Sequence, residues 1–361
     1  MKKYKIYVYA ICKNEEKFAK RWVDSMKEAD GIYVLDTGST DNTVKILKEN
    51  SVNVNIKEIT PWRFDIARNE SLKMVPKDAD ICVCTDLDEV FEKGWRSKLE
   101  EIWNKDITRL KYNYNWSFDK YGNPAVNFYN EKIHKREGYK WQHPVHEVLT
   151  STKAENIITT DEITLNHYPD PLKSRESYLS LLELSVKEDG EDDRNMHYLG
   201  REYMFHENYE KAIETLKKHL LLKKATWKDE RAASMRFIAR CYKYQNKIKE
   251  ARIWYQKAIN EAPYLREGFT EQAFLEYQNK DYNKAIELIN SALNITLKYK
   301  NYITEPYCYD GSLYDLLSIC LYENKRIKEA LFYTNMALEY AKDDKRLINN
   351  KEFFEYLLKH K

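Results

Sequence analysis

The stretch DADICVCTDLDEVF, residues 78–91, joins an apolar run directly to three acidic residues. The run Ile81 to Cys84 is typical of a strand that is buried on both faces of a parallel sheet. In an extended segment residues two apart point the same way, so Asp86 and Asp88 are predicted to face together. Because an acidic turn after a buried strand is common, this stretch alone predicts either a metal site or a solvated strand end.

Strands and helices alternate around this stretch. Strand patterns are KIYVYAIC (5–12) and GIYVLDT (31–37), and helix patterns are NEEKFAKRWVDSMKEA (14–29) and STDNTVKILKEN (39–50). Such alternation builds right-handed crossovers and a mainly parallel sheet, in which ligands bind beyond the carboxyl ends of the strands. Asp36 ends the second strand pattern, so we expect it at the same edge of the sheet as Asp86 and Asp88.

An antiparallel hairpin is predicted next. RLKYNYNWSF (109–118) alternates with period two, and a DKYGNP turn connects it to AVNFYNEKIHK (125–135). The alternation puts Tyr112, Tyr114 and Trp116 on one face. We expect these rings to pack on the core, with the stacking of bases or sugars as the alternative.

From about residue 175 the pattern becomes wholly helical and repeats itself. The recurring small residues are Ala212, Ala251, Ala285 and Ala330, at intervals of 39, 34 and 45. Helix pairs that bury their apolar faces by stacking on one another show this signature, so we predict an all-α, tetratricopeptide-like solenoid, with an unrelated helical bundle as the alternative. The predicted domains are residues 1–172 and 173–361.

Composition excludes several classes of protein. The 361 residues carry a net charge of +2, without the basic excess of a protein held to nucleic acid mainly by phosphate contacts. The sequence contains no run of about 18 apolar residues, so it predicts no membrane-spanning helix. The six cysteines contain no C-x-x-C pair, which indicates reduced, buried thiols in a cytoplasmic protein.

Six motifs in order carry a resemblance to a known family. AICKNEE (10–16), VLDTGSTDNT (34–43), FDIARNESL (64–72) and CTDLDEVF (84–91) resemble the successive motifs of family 2 glycosyltransferases with the GT-A fold. WQHPVHEVL (141–149) and LNHYP (165–169) resemble those of members that carry a C-terminal tetratricopeptide array, including the sublancin-type peptide S-glycosyltransferase. The resemblance covers nearly the whole chain and implies an α/β GT-A domain followed by helical repeats.

The resemblance implies a donor site. Ile11 and Lys13 match positions that contact the nucleotide base, and Asp36 matches the base-binding aspartate. Arg68 matches an arginine near the base and the phosphates, and Asp65 is a further candidate for donor binding.

The resemblance also implies a site for Mn²⁺ or Mg²⁺. Asp86 and Asp88 match the D-x-D motif, whose second member binds the metal while the first reaches the ribose or a metal-bound water. His167 falls where related enzymes complete the metal coordination. Lys132 and His134 stand where relatives commonly have arginines, so this chain departs from the family pattern at the expected phosphate contacts.

Two residues compete for the role of catalytic base. Glu147 matches the carboxylate that faces the acceptor, and an inverting transfer needs a base within hydrogen-bond reach of the attacking group. His146 is the other candidate for the base. The structural alternative is that Glu147 and His146 only order a loop. His143 has no such support.

The sequence therefore predicts a cytoplasmic, metal-dependent, inverting glycosyltransferase that uses a UDP-sugar. The expected acceptor is polymeric, preferably a protein or peptide side chain, and a homodimer through the helical repeats is a further expectation. One alternative makes the acceptor a modified nucleobase or a glycan. Another alternative is a non-catalytic scaffold, in which the helical repeats hold partners and the first domain is a degenerate nucleotide binder.

Overall fold

The computed structural model describes residues 3–171 and 177–360. The chain groups into two units, Met1–Glu188 with Lys300–Tyr302 and Asp189–Tyr299 with Ile303–Lys361. The predicted domain boundary between residues 172 and 173 lies outside the described residues and stays a prediction.

The first unit alternates strands and helices as the sequence predicts. Its strands are β1 Ile6–Cys12, β2 Gly31–Asp36, β3 Asn53–Ile56, β4 Ile81–Cys84, β5 Glu89–Phe91, β6 Arg109–Phe118, β7 Pro124–His134, β8 Tyr139–Gln142, β9 Val148–Ser151 and β10 Ile157–His167. Its helices are α1 Glu16–Met26, α2 Thr43–Glu49, α3 Phe64–Met74, α4 Trp95–Ile102 and α5 Ser177–Glu188.

Eight of these strands form one sheet in the order β3-β2-β1-β4-β7-β6-β10-β5, and β8 pairs with β9 separately. The pairs β1–β2, β1–β4, β2–β3 and β6–β10 are parallel. The predicted hairpin is present as the antiparallel pair β6–β7, and β3 lies at one edge of the sheet. The α/β fold with a mainly parallel sheet and an antiparallel hairpin is confirmed.

Helix α1 connects the core to the loop after β4. Its apolar residues Phe18, Ala19, Trp22, Val23 and Met26 recur at helical spacing and are buried. Trp22 is fully buried and donates a hydrogen bond from Nε1 to Thr85 Oγ1 at 3.0 Å. The side chain that fills the core therefore also holds Thr85, the residue that precedes Asp86.

The aromatic face of β6 divides between core and solvent. Tyr112 and Tyr114 are buried, as predicted. Trp116, in contrast, has 46% of its surface exposed. Its ring stacks on His167 with centroids 4.3 Å apart.

The second unit is helical throughout its described elements. Its α-helices are α6 Asp193–Phe205, α7 Tyr209–Leu221, α8 Lys228–Tyr244, α9 Ile248–Glu261, α10 Arg266–Gln278, α11 Tyr282–Leu293, α12 Ser312–Glu323, α13 Ile327–Tyr340 and α14 Lys345–Lys359. Consecutive helices pack as the pairs α6–α7, α8–α9, α10–α11 and α12–α13.

The four helix pairs repeat one geometry. The four recurring alanines are each 0% exposed. The residue five positions before each alanine lies in the turn of its pair with a positive φ, and these residues are Glu207, Asn246, Lys280 and Lys325. Shared turn geometry and shared close packing at the alanines confirm the tetratricopeptide-like solenoid.

Gly200 on α6 lets α7 approach closely. A Cβ at this position would lie 2.5 Å from Leu216 Cγ. We expect Gly200→Ala to lower the free energy of unfolding by about 1–2 kcal/mol, because overpacking costs about 1–3 kcal/mol and alanine returns at most about 1 kcal/mol of helix propensity. Urea denaturation measures the change. The exposed Lys249→Ala on α9 is the control, and an unchanged stability of Gly200→Ala would contradict this packing.

The cysteines agree with the sequence-based expectation. All six lie in the described residues, and they are free and buried. None of the helices in residues 3–171 and 177–360 combines the length and the apolar composition that a membrane crossing requires.

Candidate functional site

The predicted donor-site acids lie beyond the carboxyl ends of neighbouring strands. Asp36 is the last residue of β2 and pairs with Cys12, the last residue of β1. Strand β4 pairs with β1 on its other side and ends at Cys84, two residues before Asp86. Because the three strands are parallel, their carboxyl ends form one edge, at which ligands bind in open α/β sheets.

Asp36 shapes the loop that follows β2. It is 1% exposed, and its Oδ1 accepts hydrogen bonds from the backbone N–H groups of Gly38 at 3.0 Å and Ser39 at 2.9 Å. Its Oδ2 accepts from Ser39 Oγ and from Cys12 Sγ. The φ of +105° at Gly38 is one that glycine adopts without strain. In this structure the carboxylate holds the loop in its turn.

The loops after β1 and β2 hold each other. Asn14 donates its backbone N–H to Ser39 Oγ at 2.8 Å, and its Oδ1 accepts from the backbone N–H of Thr40 at 2.8 Å. Lys13, one residue earlier, is exposed at this edge. Ile11 is buried and packs with Leu35, Ile59 and Ala67. The structure therefore places Lys13 in solvent at the edge and Ile11 in the packing beneath it.

Asp65 belongs to a separate ion pair. Its two carboxylate oxygens accept from Arg63 Nε at 3.0 Å and Arg63 Nη2 at 2.9 Å. Arg63 also contacts Glu188 at the end of α5. The Asp65 carboxylate is therefore paired with Arg63 and is not part of the hydrogen-bonded group around Arg68.

Arg68 is the centre of the site. It is carried by α3 and is 3% exposed. Its Nε donates to Glu147 Oε1 at 2.9 Å, and its Nη2 donates to Asp86 Oδ1 at 2.6 Å. The Trp141 ring lies 5.5 Å from the guanidinium carbon. Burial alone would lower the pKa of Arg68, but the charges of Asp86 and Glu147 raise it well above its ordinary value.

Lys132 on β7 provides a second cation. Its Nζ lies 3.1 Å from Asp86 Oδ2 and 3.9 Å from Glu89 Oε1. Burial would raise the pKa of Asp86, but Arg68 and Lys132 outweigh it and hold that pKa well below its usual range. The sequence marked Lys132 only as a departure from the family pattern, and its contact with Asp86 depends on the pairing of β7 with β4.

Glu89 supports the backbone of the acidic stretch. It is 1% exposed, and its Oε2 accepts the backbone N–H of Asp86 at 2.8 Å. Its Oε1 accepts from Tyr114 Oη at 2.7 Å. Burial raises the pKa of Glu89. It is the first residue of strand β5, and it fixes the conformation of the turn that carries Asp86.

Asp88 and His167 face each other. His167 Nε2 lies 3.4 Å from Asp88 Oδ2, and His167 Nδ1 lies 3.0 Å from the Trp116 carbonyl oxygen. The carbonyl can only accept, so Nδ1 donates the proton and Nε2 of the neutral ring presents its lone pair to the carboxylate. Because Nε2 and the carboxylate oxygen are both acceptors, a proton or a cation can lie between them at this distance. Burial lowers the pKa of His167, but Asp88 raises it above its ordinary value.

Glu147 and His146 lie between β8 and β9. Glu147 belongs to the central group through Arg68. His146 has a φ of +49°, and its ring packs edge-on against Tyr178 of α5 with centroids 5.9 Å apart. The structure joins Glu147 to Asp86 through one arginine, and it places His146 against an aromatic ring.

Arg68, Asp86 and Glu147 therefore form one connected group, with Asp88 and His167 beside it. The first three are joined by the hydrogen bonds of one guanidinium. This arrangement offers two cations to an anionic ligand and an acid–imidazole pair to a divalent ion.

Residues 7–154 match the model of Glycosyl transferase family 2. No curated protein matches the chain. Solved structures similar to the chain include MamA, with 17% identity over 50% of this chain and 99% of that one and a TM-score of 0.38. PilF of Pseudomonas aeruginosa has 16% identity over 48% of this chain and 72% of that one, with a TM-score of 0.37. The matched residues 7–154 include Arg68, Asp86, Asp88 and Glu147 and end before His167.

Proposed function

We propose that the protein is an inverting, divalent-metal-dependent glycosyltransferase that moves a sugar from a UDP-sugar to a polymeric acceptor. A protein or peptide side chain is the favoured acceptor. The observation that carries the proposal is that Arg68 donates to both Asp86 and Glu147 at the carboxyl edge of a family 2 domain. One side chain thus connects the candidate donor site to the candidate base.

The two cations are suited to a diphosphate. Arg68 and Lys132 both contact Asp86, and both side chains are largely buried. A diphosphate that reaches them competes with Asp86 and Glu147 for the same N–H donors, because charge-assisted hydrogen bonds to phosphate are strong. Donor binding would then release Glu147 from Arg68, which makes the base available when the donor is in place. Lys13 and Asp36 are proposed to contact the nucleoside.

Asp88 and His167, with Asp86 beside them, would hold Mn²⁺ or Mg²⁺. The ion, when bound, neutralises the charge that develops on the leaving diphosphate. The Trp116 carbonyl fixes the His167 ring so that Nε2 is the free ligand atom. Two carboxylates and one imidazole leave positions for phosphate oxygens and water.

Glu147 is the proposed base. The acceptor atom attacks the anomeric carbon from the face opposite the diphosphate and forms the new glycosidic bond. The bond from that carbon to the phosphate oxygen breaks, and the acceptor proton passes to Glu147. Glu147 is preferred over His146 because its carboxylate is part of the Arg68 group, whereas the His146 ring packs on Tyr178.

A glycan or a modified nucleobase is a second candidate acceptor, and one observation favours it. Trp116 is 46% exposed and stacks on His167, the proposed metal ligand. An exposed ring at this place can stack on a sugar or a base. Transfer assays with peptide, oligosaccharide and oligonucleotide acceptors separate these classes.

Two proposals remain: what the helical repeats bind and where in the cell the protein acts. Solenoids present extended binding surfaces, so the repeats are proposed to bind the polymeric acceptor or a second copy of the chain. The free, buried cysteines support a cytoplasmic location.

The metal ligand is tested with Asp88→Asn. Asparagine keeps the size of the side chain but removes the charge, so we expect Mn²⁺ to bind at least about 10-fold more weakly in the presence of UDP. A thermal-shift panel of UDP-sugars with and without Mn²⁺ measures this, because a ligand that binds only the folded state raises its stability.

The exposed Asp106→Asn, in the turn after α4, is the matched control and should behave like the parent protein. Undiminished binding of Mn²⁺ and UDP to Asp88→Asn would remove Asp88 from the site. Absence of both UDP-sugar binding and turnover in the parent protein would favour the scaffold alternative.

A further inference from the structure

Three side chains of the helical unit come together like ligands of a cation. Asp193, His219 and Glu230 form a group of acidic and histidine residues that could hold a metal ion. One ligand atom of each lies within 4.8 Å of the other two. They come from three successive helices, α6, α7 and α8. We call these three residues the solenoid cluster.

The cluster is largely shielded from water. His219 is 0% exposed and Glu230 is 4% exposed, whereas Asp193 is partly exposed in the first turn of α6. His219 Nε2 lies 3.3 Å from Glu230 Oε1, and within the described residues this nitrogen makes no hydrogen bond. A fully buried ring nitrogen is thus aimed at a carboxylate of the cluster.

A chain of hydrogen bonds fixes the His219 ring. Its Nδ1 lies 2.9 Å from Ser234 Oγ, which in turn lies 2.7 Å from His197 Nδ1. Metal-binding histidines usually engage their second ring nitrogen in this way, which sets the orientation of the ring and the tautomer. When His219 Nδ1 donates to Ser234, Nε2 carries the lone pair and is a ligand atom.

The donor set selects a class of ion. Imidazole nitrogen suits Zn²⁺ and related transition metals better than Mg²⁺ or Ca²⁺, and two carboxylates balance a charge of +2. Zinc bonds to nitrogen and oxygen are about 2.0–2.2 Å, so ligand atoms around a tetrahedral zinc lie about 3.3–3.6 Å apart. The separation of His219 Nε2 from Glu230 Oε1, 3.3 Å, already fits this spacing, and the other separations are at most 4.8 Å.

We propose that the solenoid cluster binds a divalent transition-metal ion of the Zn²⁺ type, which joins α6, α7 and α8. The ion would connect the first helix pair to the first helix of the next pair. Because the three ligands come from separate helices and are brought together only by folding, the binding free energy adds to the stability of this unit. The proposal is independent of glycosyl transfer.

The test uses the full chain, expressed without a histidine tag and stripped of metal with EDTA. Asp88→Asn serves as the background, so that the ion proposed for the family 2 domain does not mask the second one. We expect calorimetric titration with Zn²⁺ to give one tight site per chain, and Zn²⁺ to raise the melting temperature. Adding Asp193→Asn or Glu230→Gln should weaken Zn²⁺ binding by at least about 100-fold, beyond the 10- to 100-fold typical of changes around the ligands.

Two further variants keep the outcome decisive. His206→Gln removes an exposed histidine that pairs with Glu202 at 3.6 Å on the same helix end, and it should leave Zn²⁺ binding unchanged. Ser234→Ala keeps all three ligands but frees the His219 ring, so it should weaken binding by about 10- to 100-fold. If the buried Glu230→Gln fails to fold, Ser234→Ala and Asp193→Asn together still test the proposal. The proposal is overturned if the background protein takes up no stoichiometric Zn²⁺, or if Asp193→Asn and Ser234→Ala bind it as tightly as the background.

Discussion

Replacing Glu147 with glutamine is expected to lower kcat for sugar transfer by about 10²- to 10⁴-fold, the usual contribution of a positioned general base. Glutamine keeps the length of the side chain, and its carbonyl oxygen can still accept the hydrogen bond from Arg68 Nε. The amide does not take up the acceptor proton, so the loss falls on the chemical step. KM for the UDP-sugar should change much less than kcat.

Steady-state kinetics over a range of pH measure this effect and separate the two candidate bases. In Glu147→Gln the loss of kcat should persist across the pH range, because the amide takes up no proton. Glu137→Gln is the matched control, since Glu137 is exposed and its Oε2 lies 3.8 Å from Nζ of Lys153, which is also exposed. Near-normal turnover in Glu147→Gln, with a large loss in His146→Gln, would assign the base to His146 instead.

The parts of the fold that the sequence predicts are those with a local pattern. The apolar runs of β1, β2 and β4 alternate with helical periods, and all three strands form where these runs lie. The alanine repeat likewise marks the helix pairs, because each pair has to pack closely at the same point. In both cases a few consecutive residues contain the signal.

Strands β5 and β10 were not predicted, for a physical reason. Strand β5 has three residues, too few to show a period. Strand β10 pairs parallel with β6 and antiparallel with β5, and its register with β6 shifts between Thr160 and Thr164. Which strands pair across such sequence separations depends on tertiary packing, and an irregular register breaks the period-two pattern.

In the candidate site, too, local motifs predict single residues but not the contacts between them. The motifs indicate Arg68 and Glu147 as site residues, but their hydrogen bond joins positions 79 residues apart in the chain. Asp65 was a donor candidate, and Arg63, two residues earlier, takes both of its carboxylate oxygens. That neighbour was visible in the sequence, since oppositely charged residues so close together often pair. The roles of these residues in catalysis stay predictions.

Arg68→Met is expected to lower the free energy of unfolding by about 3–5 kcal/mol, the usual cost of removing one partner from a buried ion pair. Methionine fills much of the same volume but leaves the Asp86 and Glu147 carboxylates without the guanidinium between them. Lys132 still contacts Asp86 and limits the loss at that carboxylate. Denaturant unfolding at neutral pH measures the change, and UDP-sugar binding should weaken in the same variant.

Two comparisons test the cause of this loss. Arg326→Met removes an exposed arginine that pairs with Glu329 on α13, and such a surface pair is worth about 0–1 kcal/mol. In the parent protein the pKa of Asp86 is lower in the folded than in the unfolded state, so its contribution to stability is present above about pH 4 and is lost as the pH falls toward the folded pKa. Arg68→Met should reduce this pH dependence. A variant within about 1 kcal/mol of the parent, with an unchanged pH dependence, would show that Arg68 does not stabilise the two carboxylates.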